Sequence, residues 1–123
     1  KDPITLEAAY NDAAGVTKAF NLNILSHINR ELSGNFDLQA FGHVAFYNKE
    51  LGRIEMHLES SKKQSVTVSG NKFYFEPGER IHTENSYKYD IDEFRTLASS
   101  AGFIPSKVWT DSNELFSVHF LRI

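Results

Sequence analysis

The sequence predicts an α+β fold: N-terminal helices, an antiparallel meander sheet, then a helix and two further strands. Three observations predict it. Apolar residues recur four apart from Val16 to Leu32, the spacing of one helix face. The period then falls to two, with Ile54, Met56 and Leu58 alternating with Glu55, His57 and Glu59. A helix-opening pattern returns at Asp90, with Glu93 three residues on.

Taken in order, Asp2-Pro3 opens a short helix that runs through Ala8, Ala9 and Tyr10 and is broken by Asn11-Asp12 and Gly15. A second helix is expected over about 16–32. Its stripe is Val16, Phe20, Ile24, Ile28 and Leu32, with Leu25 beside it, and Gly34 is expected as its left-handed cap. Strands are expected over 43–47, 53–60, 64–69, 73–76 and 79–87, with turns at 48–52, Gly70-Asn71 and Pro77-Gly78. The third helix carries Phe94, Leu97 and Ala98 on one face and ends at Gly102. Strands over 103–110 and 115–121 close the chain around Asp111-Ser112-Asn113. The change of pattern near Tyr89-Asp90 divides the chain into 1–89 and 90–123.

At 123 residues, the length suits a single core of ordinary size. A hydrophobic fraction of 41% and ten Phe argue against disorder. The net charge of -3 gives no electrostatic footprint for nucleic acid or an anionic membrane. The absence of Cys excludes disulfides, thiolate metal sites and a Cys nucleophile, and permits a reducing compartment. No apolar run approaches the roughly 20 residues of a membrane-spanning helix. The chain opens on Lys1-Asp2-Pro3 without a Met, which reads as a piece of a longer protein.

The chemistry-bearing residues are sparse. His27, His43, His57, His82 and His119 show no ligand spacing such as H-E-x-x-H. Only His43 and His57, on strands expected to be neighbours, invite a pairing, and no metal site is expected. Ser86 lacks the G-x-S-x-G setting of a hydrolase nucleophile. Neither a phosphate-binding loop nor G-x-G-x-x-G is present.

Polar residues at strand positions stand out more. Glu84 and Ser86 are two apart and share a strand face, with Ile81, Thr83, Asn85, Tyr87 and Tyr89 on the other. A carboxylate and a hydroxyl there can grip a ligand with N–H donors such as an imidazole, or can simply face water on an edge strand. Tyr10 can present its hydroxyl to a ligand carboxylate or pack its ring in the core. Met56 reads as core filler.

Several blocks together resemble the substrate domain of the histidine-specific methyltransferases of ergothioneine biosynthesis. They are A-Y-N-D-A-A-G-V-T-K-A-F-N-L-N-I-L-S-H-I-N-R-E-L, F-G-H-V-A-F-Y-N, R-I-E-M-H-L and T-E-N-S-Y-K-Y. The resemblance implies that 1–89 is a family-specific substrate-binding domain. It implies that 90–123 supplies the closing helix and two strands of a Rossmann-like sheet. It implies an S-adenosylmethionine-dependent N-methyltransferase acting on the α-amine of histidine, with the cofactor held by a portion upstream of Lys1. On this basis Tyr10 matches the tyrosine that binds the substrate carboxylate, and Glu84 and Ser86 the pair that reads the imidazole. Met56 lines the pocket, and Phe20 is a nearby aromatic wall. No residue is an obvious general base. The fragment alone is expected to be inactive and to self-associate, the full-length enzyme to be a cytoplasmic monomer. The alternatives are a non-catalytic module that binds histidine or another amine, and a methyltransferase for a different amino acid.

Overall fold

The computed structural model describes residues 2–123. They form two compact units, Asp2–Tyr87 and Lys88–Ile123. The first contains helices α1 (Pro3–Tyr10) and α2 (Val16–Glu31), a single 3₁₀ turn (Leu38–Ala40) and five strands. These are β1 (Phe41–Asn48), β2 (Arg53–Ser60), β3 (Gln64–Val68), β4 (Asn71–Phe75) and β5 (Arg80–Tyr87). The second contains α3 (Ile91–Ser100), β6 (Ile104–Thr110) and β7 (Ser117–Arg122). The α+β class and the antiparallel pairing are as the sequence predicts.

Local chemistry explains the helix starts. Asp2 accepts the Thr5 backbone N–H at 2.9 Å, with Pro3 in the first turn. Asp90 and Glu93 form the expected reciprocal box at 2.8 and 2.9 Å.

The pairing is more specific than chain order. β2 is the centre of a three-stranded sheet in the order β1-β2-β5, and β3 and β4 form a hairpin of their own. Central placement makes β2 the best-buried strand, with Ile54, Met56 and Leu58 at most 2% exposed. Ile54 and Met56 pack with Leu6 of α1, and Leu58 packs with Leu25, Ala40 and Phe41. Burial of each such side chain contributes about 1.5–3 kcal/mol.

Three sequence expectations are corrected. The stripe along α2 is not its buried face: Val16 and Phe20 are 68% and 64% exposed, whereas Asn21 and Leu25 are buried. A polar contact described below helps choose that face. After α2 the left-handed residue is Ser33, at φ 49°, rather than Gly34. Gly34 is needed for a close approach instead, because a Cβ there would lie 2.8 Å from Asn29 Oδ1. The β3–β4 turn is Ser69-Gly70 rather than Gly70-Asn71, with φ of 48° and 79°. Two positive φ values in a two-residue loop match the strand twist.

In the second unit, β6 and β7 pair antiparallel and Ala98 of α3 is buried. The Phe94 ring lies 4.4 Å from that of His119. Trp109, Phe116 and Phe120 remain at least half exposed.

Candidate functional site

The site is built on β5 and on the end of α1. Directly opposed residues of an antiparallel pair share a face. Ile54 opposes Ser86 and Met56 opposes Glu84. Glu84 and Ser86 therefore share the sheet face of Ile54 and Met56, on which Leu6 of α1 packs.

Tyr10 is the last residue of α1, and its ring packs against the Leu6, Ile54 and Met56 cluster. Its hydroxyl oxygen lies 2.8 Å from Ser86 Oγ. The structure thus brings Tyr10, Met56 and Ser86 together and places Glu84 on the same face. Glu84 is exposed, and its carboxylate makes no hydrogen bond to another described residue. Phe20 is 64% exposed and is not a member of either buried cluster of the unit.

A β-bulge corrects the expected alternation of β5. Met56 opposes Glu84, but His57 opposes His82, so Thr83 is the extra residue. Ile81 consequently joins Leu58 in the core, on the face of Glu84 and Ser86. His82 moves to the opposite face, with Asn85 and Tyr87.

The sequence reading missed the residues that hold Tyr10 in place. The Tyr10 carbonyl can only accept, so His43 Nε2, at 2.8 Å, carries the proton that bonds it. His43 Nδ1 then accepts from Asn21 Nδ2 at 2.9 Å. The other amide proton of Asn21 goes to the His57 carbonyl at 3.0 Å. Asn21 Oδ1 accepts the Thr83 hydroxyl at 2.6 Å, and that hydroxyl also reaches the Met56 carbonyl. Every polar group of this buried amide is engaged, as burial requires. A lone Asn in a helix carries no sequence signal for such a role. Its partners lie 22, 36 and 62 positions away.

The start of α2 also relies on a side chain from outside the helix. Asp12 accepts the Val16 and Thr17 backbone N–H groups at 2.8 and 2.9 Å. Thr17 foremost, then Val16, hold the Asp12 carboxyl down at about 2. On the far face of the sheet, Glu55 is held down at about 2, first by the Arg53 guanidinium and further by His57 and Asn48. His43 and His57, the pair that the sequence suggested, lie on opposite faces: His57 opposes Val44.

Chemically, Tyr10 and Ser86 offer hydroxyls that can donate or accept and Glu84 offers an acceptor, with Met56 buried beneath them. That suits a small polar ligand with both N–H donors and acceptor groups. A Cβ built at Gly15, Gly70, Gly78 or Gly102 would meet nothing within 4 Å, so these glycines mark open turns. Among the described residues, no helix is long and apolar enough to cross a membrane.

Comparison with known proteins points the same way. A family described as histidine-specific methyltransferases, S-adenosylmethionine-dependent, matches residues 1–123. A histidine N-alpha-methyltransferase of Mycolicibacterium smegmatis is 44% identical over 113 residues, covering 90% of this chain and 35% of that protein. One from Mycobacterium tuberculosis is 41% identical over the same shares. An L-tryptophan methyltransferase of Psilocybe serbica is 29% identical, over 99% of this chain and 35% of that protein. The chain thus spans about a third of the length of these relatives.

Proposed function

The chain belongs to the family of histidine-specific, S-adenosylmethionine-dependent methyltransferases, and we propose that it supplies the histidine-reading side of an active site that methylates the α-amine of histidine. The observation that carries this reading is the Tyr10–Ser86 contact at 2.8 Å with Glu84 on the same face.

In this reading Tyr10 turns its hydroxyl proton from Ser86 to the substrate carboxylate when histidine binds, while Glu84 and Ser86 take the imidazole. Met56 forms the floor. An imidazole offers one N–H donor and one acceptor nitrogen. Glu84 accepts from the donor and the Ser86 hydroxyl donates to the acceptor. An indole has the N–H but no acceptor, so it cannot accept from the Ser86 hydroxyl and that ligand bond is lost. Such a loss costs about 1–3 kcal/mol at a buried site. Holding both ends of histidine aims its amine, and orientation of this kind is a large part of catalysis in bimolecular transfers.

S-adenosylmethionine supplies an electrophilic methyl group when bound. We assign its binding to parts of the protein outside this chain. Residues 90–123 are read as the closing helix and strands of a Rossmann-like sheet, and the enzyme as cytoplasmic.

The test is calorimetry on the complete protein that carries this chain. Glu84→Ala should weaken histidine binding at least tenfold, about 1.4 kcal/mol, and leave S-adenosylmethionine affinity within twofold. Equal losses for both ligands would refute the assigned role.

A further inference from the structure

The face of the sheet opposite the Tyr10–Ser86 pair carries a second cluster. Glu55 and His57 are two apart on β2, so both project from that face. Asn85 opposes Glu55, and the bulge places His82 opposite His57. A regular pairing would have set Thr83 there instead. The two imidazole rings stack with centroids 4.4 Å apart, and Phe46 stacks on the other side of His57 at 5.3 Å.

The donor atoms converge. His57 Nε2 lies 3.1 Å from Glu55 Oε2, and His82 Nε2 lies 2.7 Å from Asn85 Oδ1. One ligand atom each from Glu55, His57 and His82 fall within 4.8 Å of one another. The rest of the Glu55 carboxylate is already oriented. Arg53 Nε and Nη2 and Asn48 Nδ2 all donate to Oε1, at 2.9, 2.7 and 3.1 Å. Among the described residues, Oε2 has His57 alone as its partner. Hydrogen bonds to the outer oxygen of a ligating carboxylate are the usual support of a metal ligand.

We propose that Glu55, His57 and His82, with Asn85 at the rim, form a binding site for a divalent transition metal of the zinc class. Two imidazoles and one carboxylate are a recurrent zinc ligand set with one position open. No thiolate is present to favour softer ions, and the two imidazoles disfavour calcium and magnesium. Tetrahedral zinc with ligands at about 2.0–2.1 Å sets neighbouring donors about 3.3 Å apart, close to the 3.1 Å already found between His57 and Glu55. The metal takes the place of the proton between those two atoms. His82 is exposed, which gives the ion a path from solvent. Bound there, it would clip β5 to β2 behind the strand that carries Glu84 and Ser86.

The experiment uses the complete protein, free of any affinity tag and stripped with a chelator. Zinc is titrated by calorimetry and by competition with a chromophoric chelator. One equivalent should bind with a Kd below about 100 μM. His82→Gln should weaken binding at least tenfold, and so should His57→Gln. His27→Gln and His119→Gln should leave it unchanged. Because His82 is exposed, its replacement leaves the core intact, and that variant decides the matter. Binding weaker than about 100 μM, or binding unaltered by His82→Gln, overturns the proposal.

Discussion

The hydroxyl of Tyr10 lies 2.8 Å from the hydroxyl of Ser86, across 76 positions of sequence. The contact joins the end of α1 to an edge strand and closes one side of the candidate site. Double-mutant analysis of Tyr10→Phe and Ser86→Ala should give a coupling energy of about 0.5–1.5 kcal/mol in unfolding free energy, the net worth of an ordinary hydrogen bond. Strict additivity in denaturant titrations would show that the two hydroxyls do not act together.

The contacts behind Tyr10 should matter as much as the contact in front of it. Asn21→Leu removes the Asn21 bonds to the His57 carbonyl and to His43 Nδ1 in a buried setting, and leaves the Thr83 hydroxyl only the Met56 carbonyl. Stability should fall by about 1–3 kcal/mol or more. His43→Gln, which can keep a donor near the Tyr10 carbonyl, should lose less than His43→Leu. Thermal unfolding of the three variants checks the order, and equal losses for the two His43 variants would contradict it.

Acid should unfold the protein in a defined window. Asp12 and Glu55 have folded values lowered to about 2, from ordinary values of 3.8 and 4.5. For a depressed carboxyl, the stabilisation is complete above the unfolded value and is lost as pH falls toward the folded one. Stability should therefore hold above about pH 5 and decline from there to about pH 2. Asp12→Asn and Glu55→Gln should each flatten that decline while lowering the plateau. Tm measured against pH would reveal it, and an unchanged slope in both variants would count against these two groups as its source.

Gly34 should resist replacement. A Cβ at this position meets Asn29 Oδ1 at 2.8 Å and Asn29 Cα at 3.2 Å. The Asn29 amide cannot swing away freely, because it both donates to and accepts from the Phe36 backbone, at 2.9 and 2.8 Å. Gly34→Ala should cost about 1–3 kcal/mol, the usual penalty of overpacking. A neutral result in chemical denaturation would mean that this turn relaxes more easily than its hydrogen bonds imply.

Much of the fold was legible in the chain because it depends on local rules. Pro3, the Asp90–Glu93 box and the alternation of Ile54, Met56 and Leu58 act over a few residues, and each element formed where those signals stood. The errors fell where local rules conflict with distant contacts. Hydrophobic spacing along α2 favoured Val16 and Phe20, yet Asn21 and Leu25 face the core. Partners for a buried amide can be supplied only by strands that are remote in sequence.

By itself, the sequence determined the α+β class, the antiparallel strands, and the grouping of Glu84 with Ser86 on one strand face. Periods of 3.6 and 2 belong to the backbone and need no partner. The tertiary structure decided that β5 returns to β2 past the β3–β4 hairpin, and that a bulge at Thr83 sends Ile81 inward and His82 to the far face. It also decided that Tyr10 meets Ser86. The physical reason is that register and bulges arise between strands. They follow from which hydrogen bonds and buried faces can be satisfied together, and no single segment carries that information.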